Sequence, residues 1–350
     1  MTGGRAIAFA LLLGGCVVSS DSAGRPGAAA PPPGARRELR RMQPRDNDTT
    51  EIFRLMGKDA VWTKVSSVEM QGWTTFHTQG LVKIGDVFFV SSVEVLEPTV
   101  RSGAATDALH DFSSDRSAGR GRGWLSKFTG DGHLLGQVEL TDGTMYHPGG
   151  IDYDGRHIWV PVAEYRPNSR SEIYRVDPDT LRAELVFRAN DHIGGIVHNL
   201  QRGTIHGVSW GSRRLYTWQL GPRGRDGGAD RVVESHWVPN PETYIDYQDC
   251  HYEGVEYMLC DGVGRHGSRL VPFAFGGLDL VDLRDARPAH QIPVDGFVDE
   301  GHGPNPALAL TQNAFWAEPL GHRSLRVYFM TESDNQAALL AYDATPGMSR

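Results

Sequence analysis

The stretch His77-Thr-Gln-Gly-Leu-Val-Lys-Ile-Gly-Asp-Val-Phe-Phe-Val-Ser-Ser-Val-Glu94-Val95 aligns without a gap on His147-Pro-Gly-Gly-Ile-Asp-Tyr-Asp-Gly-Arg-His-Ile-Trp-Val-Pro-Val-Ala-Glu164-Tyr165. Each copy reads as a strand, a glycine-containing turn and a second strand. A third segment, His192-Ile-Gly-Gly-Ile196, repeats the opening of the second. A further strand pair follows each of the first two hairpins, Trp124–Phe128 with His133–Leu140, then Ile173–Val176 with Leu181–Phe187. Four strands per repeat with turns between them describe a propeller blade.

Working outward, five inner strands are expected, starting near His77, His147, His192, Tyr247 and Thr311. The run Leu339–Asp343 reads as the third strand of the fifth blade, and no fourth follows it. Trp62–Met70 precedes the first inner strand and can supply the missing one, which leaves no open edge. The predicted fold is thus all-β, a single β-propeller of five four-stranded blades over residues 58–346, with the last blade closed by an N-terminal strand.

The N-terminus gives a location. Arg5, the apolar run Ala6–Leu13 and then Gly14-Gly15-Cys16 have the layout of a secretory signal. The run is far below the roughly 20 residues that span a bilayer. Leu13-Gly14-Gly15-Cys16 resembles the lipobox of bacterial lipoproteins, which implies cleavage after residue 15 and acylation of Cys16. Two or more acyl chains would anchor the protein stably to a membrane. Residues 16–50, with Ala28-Ala-Ala-Pro-Pro-Pro-Gly34 at their centre, have little to bury and are expected to be a flexible tether. The expected location is the cell envelope outside the cytoplasm, periplasmic or at the surface. A formal net charge of −8 argues against a nucleic-acid partner. A monomer is expected, with a small molecule or an envelope protein as partner.

Phe76-His77-Thr78-Gln79-Gly80-Leu81 resembles the Thr-Gln-Gly-Leu signature of plant-type glutaminyl cyclotransferases. That resemblance implies a five-bladed propeller. Where those enzymes tend to open the second blade with Glu-Gly, this chain has His147-Pro148-Gly149-Gly150, so the cyclase chemistry is not carried over as the main reading. Across most of residues 60–345 the chain is similar to a bacterial family, domain of unknown function 6454. His147–Gly155, Trp159–Ser169 and Tyr247-Gln-Asp-Cys-His251 carry that similarity.

Hairpins turning at Gly85-Asp86 and Gly155-Arg156 would pair His77 with Glu94 and His147 with Glu164. These four residues are the catalytic candidates, and His77, His147, His192 and His251 the metal-ligating ones. Gln79, Arg166, His198, Trp210 and Gln312 are candidate ligand contacts at the same mouth. Two irregular segments, residues 97–123 and 165–170, are expected above it.

Three readings of the histidines stay open. They hydrogen-bond across the channel and staple the blades; or they hold a divalent metal ion that polarises an ester, lactone or uronate oxygen; or a His–Glu pair acts as a general base. The leading function is binding of a small polar ligand or partner at the channel face. The alternative is a metal-assisted hydrolase or lyase, and after it a cyclotransferase-like enzyme. The Gly-Gly pairs at 149–150 and 194–195 read as close backbone packing near the axis. Cys250 and Cys260 flank a turn at Glu253–Glu256 and are expected to form a disulfide, favoured by an oxidising compartment.

Overall fold

In a computed structural model of the chain, the first hairpin turns where the sequence places it, with Ile84 paired to Val87 across Gly85-Asp86. The structure describes residues 48–100, 116–221, 231–241, 244–254, 256–268, 271–298, 308–331 and 335–347. The signal segment, Cys16 and most of the tether lie outside the described residues.

Five antiparallel sheets form the blades. The first is β2 (His77–Ile84), β3 (Val87–Glu97), β4 (Arg120–Thr129) and β5 (Leu134–Glu139). In the second, the inner strand is split into β6 (Met145–Pro148) and β7 (Asp152–Tyr153), both paired to β8 (Ile158–Glu164), followed by β9 (Ser171–Val176) and β10 (Ala183–Ala189). The third is β11 (Ile193–Asn199), β12 (Thr204–Ser209), β13 (Arg214–Leu220) and β14 (Val232–Pro239). The fourth is β15 (Asp246–Tyr252), β16 (Tyr257–Ser268), β17 (Val271–Asp282) and β18 (Arg287–Val294). A two-stranded ribbon, β19 (Phe297–Val298) with β20 (Leu308–Ala309), leads to the fifth blade, β21 (Ala314–Gly321), β22 (Ser324–Met330) and β23 (Leu339–Thr345). The closing strand is β1 (Val61–Val68), antiparallel to β23 with Val61 opposite Thr345. Edge pairing joins the two ends of the ring, as the missing fourth strand requires.

The core lies between blades rather than in one central mass. Leu81, Phe89, Phe128, Ile151 and Trp316 fill the space shared by blades five, one and two. Trp159, Ile193, Ile205 and Trp218 do so between blades two and three. Residues 48–50, the end of the expected tether, are helical. Asp48–Arg54 form a helix, α1, whose Ile52 and Phe53 are buried with Leu278, Leu280 and Phe315 between blades four and five. Burial of those side chains explains why the chain is ordered there. The irregular segment is also shorter than 97–123, because Glu97 still pairs with Arg120. Residues 101–115 of that segment lie outside the described residues.

The axis is closed by backbone. Gly150 donates its N–H to the Gly194 carbonyl at 2.8 Å, and a Cβ on Gly150 would stand 2.8 Å from the Gln248 carbonyl oxygen. A Cβ on Gly80 would meet the Ile151 nitrogen at 2.5 Å. Only glycine permits such an approach. Beneath these contacts, Asp249 on β15 is fully buried and gathers the inner strands. Its carboxylate accepts N–H groups from Leu81 (2.8 Å), Ile151 (3.0 Å) and Phe315 (3.3 Å), one from each of blades one, two and five, and from Cys250 at 3.1 Å. The Asp249 N–H in turn donates to Asp261 Oδ1 at 2.9 Å. Burial, reinforced for Asp261 by the neighbouring Asp249, raises both carboxyls above their ordinary value, Asp261 the more. Cys250 and Cys260 are register partners on β15 and β16 and form the expected disulfide, with Cα atoms 4.1 Å apart.

Candidate functional site

The openings of the inner strands surround one cleft of about 310 Å³, open to solvent, at the mouth of the ring. His77 starts β2, His147 lies in β6, His192 immediately precedes β11, and Gln248 sits near the start of β15. Gln312 comes from the turn before β21. The sequence-predicted His77, Gln79, His147, His192, Trp210 and Gln312 therefore share one cavity.

His147 is its centre. The ring lies 6.3 Å from His77 and 5.5 Å from His192, centroid to centroid, and is stacked on Tyr165 at 4.1 Å. The residue is only 5% exposed, yet neither ring nitrogen has a hydrogen-bond partner. Burial, and the neighbouring imidazoles of His192 and His77, hold its pKa well below the ordinary value. His192 is likewise buried and pushed down to about 4, with burial the cause. Its Nδ1 lies 2.8 Å from the backbone carbonyl of Glu164. A carbonyl accepts only, so Nδ1 carries the proton of the neutral ring and Nε2 keeps its lone pair. Trp210 meets the edge of His192 at 4.7 Å, and the Arg116 guanidinium lies over Trp210 at 5.1 Å.

The two glutamates are not beside the histidines. His77 pairs with Val93 and His147 with Ala163, one residue short of Glu94 and Glu164. A register break between Thr78 and Gly80, at Gln79, causes the first slip, and a break between Pro148 and Asp152 causes the second. Because strand side chains alternate, a one-residue slip turns each carboxylate to the opposite face. Glu164 instead accepts from Thr144 (2.8 Å), Arg166 (2.8 Å) and Arg170 (2.6 Å). Burial alone would raise its pKa, but these hydrogen bonds outweigh it and hold the carboxyl below its usual range. Arg166 is committed to this ion pair. Glu94 lies 3.3 Å from the Trp124 indole nitrogen and 3.6 Å from Arg122.

His251 and His198 also fall elsewhere. Both sit toward the far ends of inner strands that begin at the mouth, His251 in β15 and His198 in β11. His251 is 1% exposed, with Nε2 2.9 Å from the Phe315 carbonyl. His198 Nδ1 is 2.8 Å from Asp154, whose carboxyl is drawn down to about 2 against burial by His198, the His157 backbone and Trp159. Among the described residues no group of three or more His, Cys, Asp or Glu is placed to hold a metal ion, so these residues lend no support to the metal reading of the histidines.

Sequence reading missed Tyr165, Tyr247, Gln248 and Asn313 as cleft residues. Tyr165 follows Glu164 directly, and residue alternation from Asp246 would have placed Gln248 at the same mouth.

Fold and cavity together define a five-bladed β-propeller with a polar cleft at one end of a closed axis. The chain belongs to a family of unknown function, DUF6454, whose match spans residues 44–346. None of the curated proteins compared with it matches the sequence. Among solved structures it is similar to a luciferin-regenerating enzyme, with a TM-score of 0.41 and 9% identity over 83% of this chain and 98% of that one. It is also similar to the WD40 domain of Toxoplasma gondii coronin, with a TM-score of 0.34 and 9% identity over 84% and 88% of the two chains.

Proposed function

We propose that this protein is an exported, lipid-anchored binding propeller that holds a small polar ligand in the cleft at the mouth of its ring. One observation carries the reading. His147 is buried in the cleft wall with both ring nitrogens unpartnered. A buried polar group left unpaired costs about 1–3 kcal/mol. Folding alone gives no return for that cost, whereas a ligand that pairs with the imidazole does. A metal-free His–Glu base is disfavoured, because both glutamates face away from the imidazoles. Metal-assisted hydrolysis lacks a donor set among the described residues, and the cyclotransferase likeness rests on one short motif.

The anchor rests on Leu13-Gly14-Gly15-Cys16. Labelled palmitate should enter the wild-type protein in cells and fail to enter Cys16→Ser, which should leave the membrane fraction. Labelling that survives Cys16→Ser would refute the anchor. For the cleft, thermal shift against a millimolar panel of amino acids, nucleosides, organic acids and sugars should give at least one stabilising compound, as binding to the folded state requires. His147→Phe should abolish that shift. A panel without a single stabiliser, or a shift that His147→Phe leaves intact, would remove the binding reading.

A further inference from the structure

We infer that the cleft takes a small organic anion, a molecule carrying a carboxylate or phosphate group on a carbon skeleton, an inference that rests on the binding role proposed above.

The mouth is positive. Two residues of the cleft wall carry a fixed charge, Asp246 and Arg265. Asp246 is taken by Arg213 at 2.9 Å. Arg265, exposed on β16, forms no ion pair with any described residue. The surroundings tip the balance the same way. Glu164 faces two guanidinium groups, those of Arg166 and Arg170, each at 2.6 Å. The Arg116 guanidinium lies over Trp210, itself part of the wall. Asp191 with Arg214 at 2.7 Å, and Glu94 with Arg122 at 3.6 Å, are balanced pairs and leave that excess unchanged. Among these described residues arginines outnumber carboxylates, although the chain as a whole has a formal net charge of −8. A cleft lined by one sign of charge concentrates ions of the other sign.

The uncharged groups ask for more than a bare ion. The planar guanidinium of Arg265 presents paired N–H donors that match two oxygens of a carboxylate or phosphate. A neutral imidazole offers one donor and one acceptor, and both nitrogens of His147 are unpartnered. Its N–H can serve an anionic oxygen. Its lone pair needs a donor, which a hydroxyl or N–H on a carbon skeleton supplies and a fully ionised inorganic anion does not. The Gln312 carboxamide in the same wall carries a donor and an acceptor side by side. Tyr165 and Trp210 give flat apolar surface for the skeleton itself. An ammonium would meet like charge at Arg265, and an uncharged molecule would gain nothing from it. The cleft volume of about 310 Å³ is at the small end of ligand pockets and holds the anion to a compact size.

The test uses the full chain in a nonionic detergent. Calorimetry and melting temperature compare pairs alike in shape and different in charge: malate with malamide, 4-hydroxybenzoate with 4-hydroxybenzamide, galacturonate with galactose, and glycerol 3-phosphate with glycerol. Inorganic phosphate and putrescine complete the set. At least one carboxylate or phosphate ester should bind saturably, about tenfold or more tightly than its neutral partner or inorganic phosphate, and the pair that responds tells which oxyanion is held. Added salt should weaken it, since Arg265 is exposed to screening. Arg265→Gln should weaken that anion about tenfold and leave the melting temperature of the free protein unchanged. A neutral partner binding as tightly as its anion, or an anion indifferent to Arg265→Gln, would overturn the ligand class, while loss of the binding in His147→Phe would keep the cleft as a binding site. Binding of inorganic phosphate alone would mean an adventitious ion only and would also overturn the class. So would absence of binding by every anion; the binding role itself falls only if the wider small-molecule panel fails as well.

Discussion

Two buried polar clusters lie on one axis and obey opposite rules. At the hub, Asp249 accepts four backbone N–H groups from four blades and spends its carboxylate wholly on the fold. At the mouth, His147 is nearly as buried and neither of its ring nitrogens has a hydrogen-bond partner. Burial therefore does not tell the two clusters apart. The two central side chains differ instead in hydrogen bonding, with the Asp249 carboxylate fully used and both His147 ring nitrogens unpaired. Glu164 follows the hub's rule, with a carboxylate paired to Arg166 and Arg170 while its backbone carbonyl orients His192.

The comparison is most exposed at Asp249. Asp249→Ala would leave the Leu81, Ile151, Cys250 and Phe315 N–H groups buried without an acceptor, at a cost of about 4 kcal/mol or more. Asp249→Asn should recover part of that loss in a denaturant titration. Equal stability of wild type and Asp249→Ala would show that the hub is not a staple.

Acid separates the clusters next. At the mouth, folding depresses the imidazoles, His192 from 6.5 to about 4. Between those values the unfolded chain binds more protons than the folded one. Stability contributed at higher pH is therefore lost as pH falls, on the order of 2 kcal/mol. A melting-temperature profile from pH 7 to 4 should fall, and His147→Phe should flatten it.

Without ligand, His147→Phe should itself raise stability, by about 1–2 kcal/mol, since it removes an unsatisfied polar group and keeps a ring on Tyr165. A loss of stability would mean that the imidazole is a structural part of the wall after all.

The smallest effect belongs to Asp261, which accepts the Asp249 N–H through Oδ1 while Oδ2 has no hydrogen-bond partner. Its folded pKa is raised, so its favourable contribution is present below the ordinary carboxyl value of 3.8 and fades as pH rises. Asp261→Asn, permanently neutral, should gain about 1 kcal/mol at pH 8 and nothing near pH 3.

Periodicity carried the fold. The paired segments at His77 and His147, the glycine turns and the missing strand after Asp343 placed the blades, their closure by β1 and the cysteine pair, because hairpin pairing is a local property of sequence. The same reading gathered His77, His147 and His192 at one mouth, since each opens an inner strand. Alternation alone could not foresee the bulges at Gln79 and between Pro148 and Asp152, which depend on how tightly neighbouring backbones pack at the axis, and a single extra residue in each hairpin turned the glutamates away. Nor could it set how far His198 and His251 lie from the mouth along their strands. What the chain encodes by itself is which residues can pair. Which of them meet, and which is left unpartnered, was decided by three-dimensional packing, because polar satisfaction depends on contacts between blades far apart in sequence.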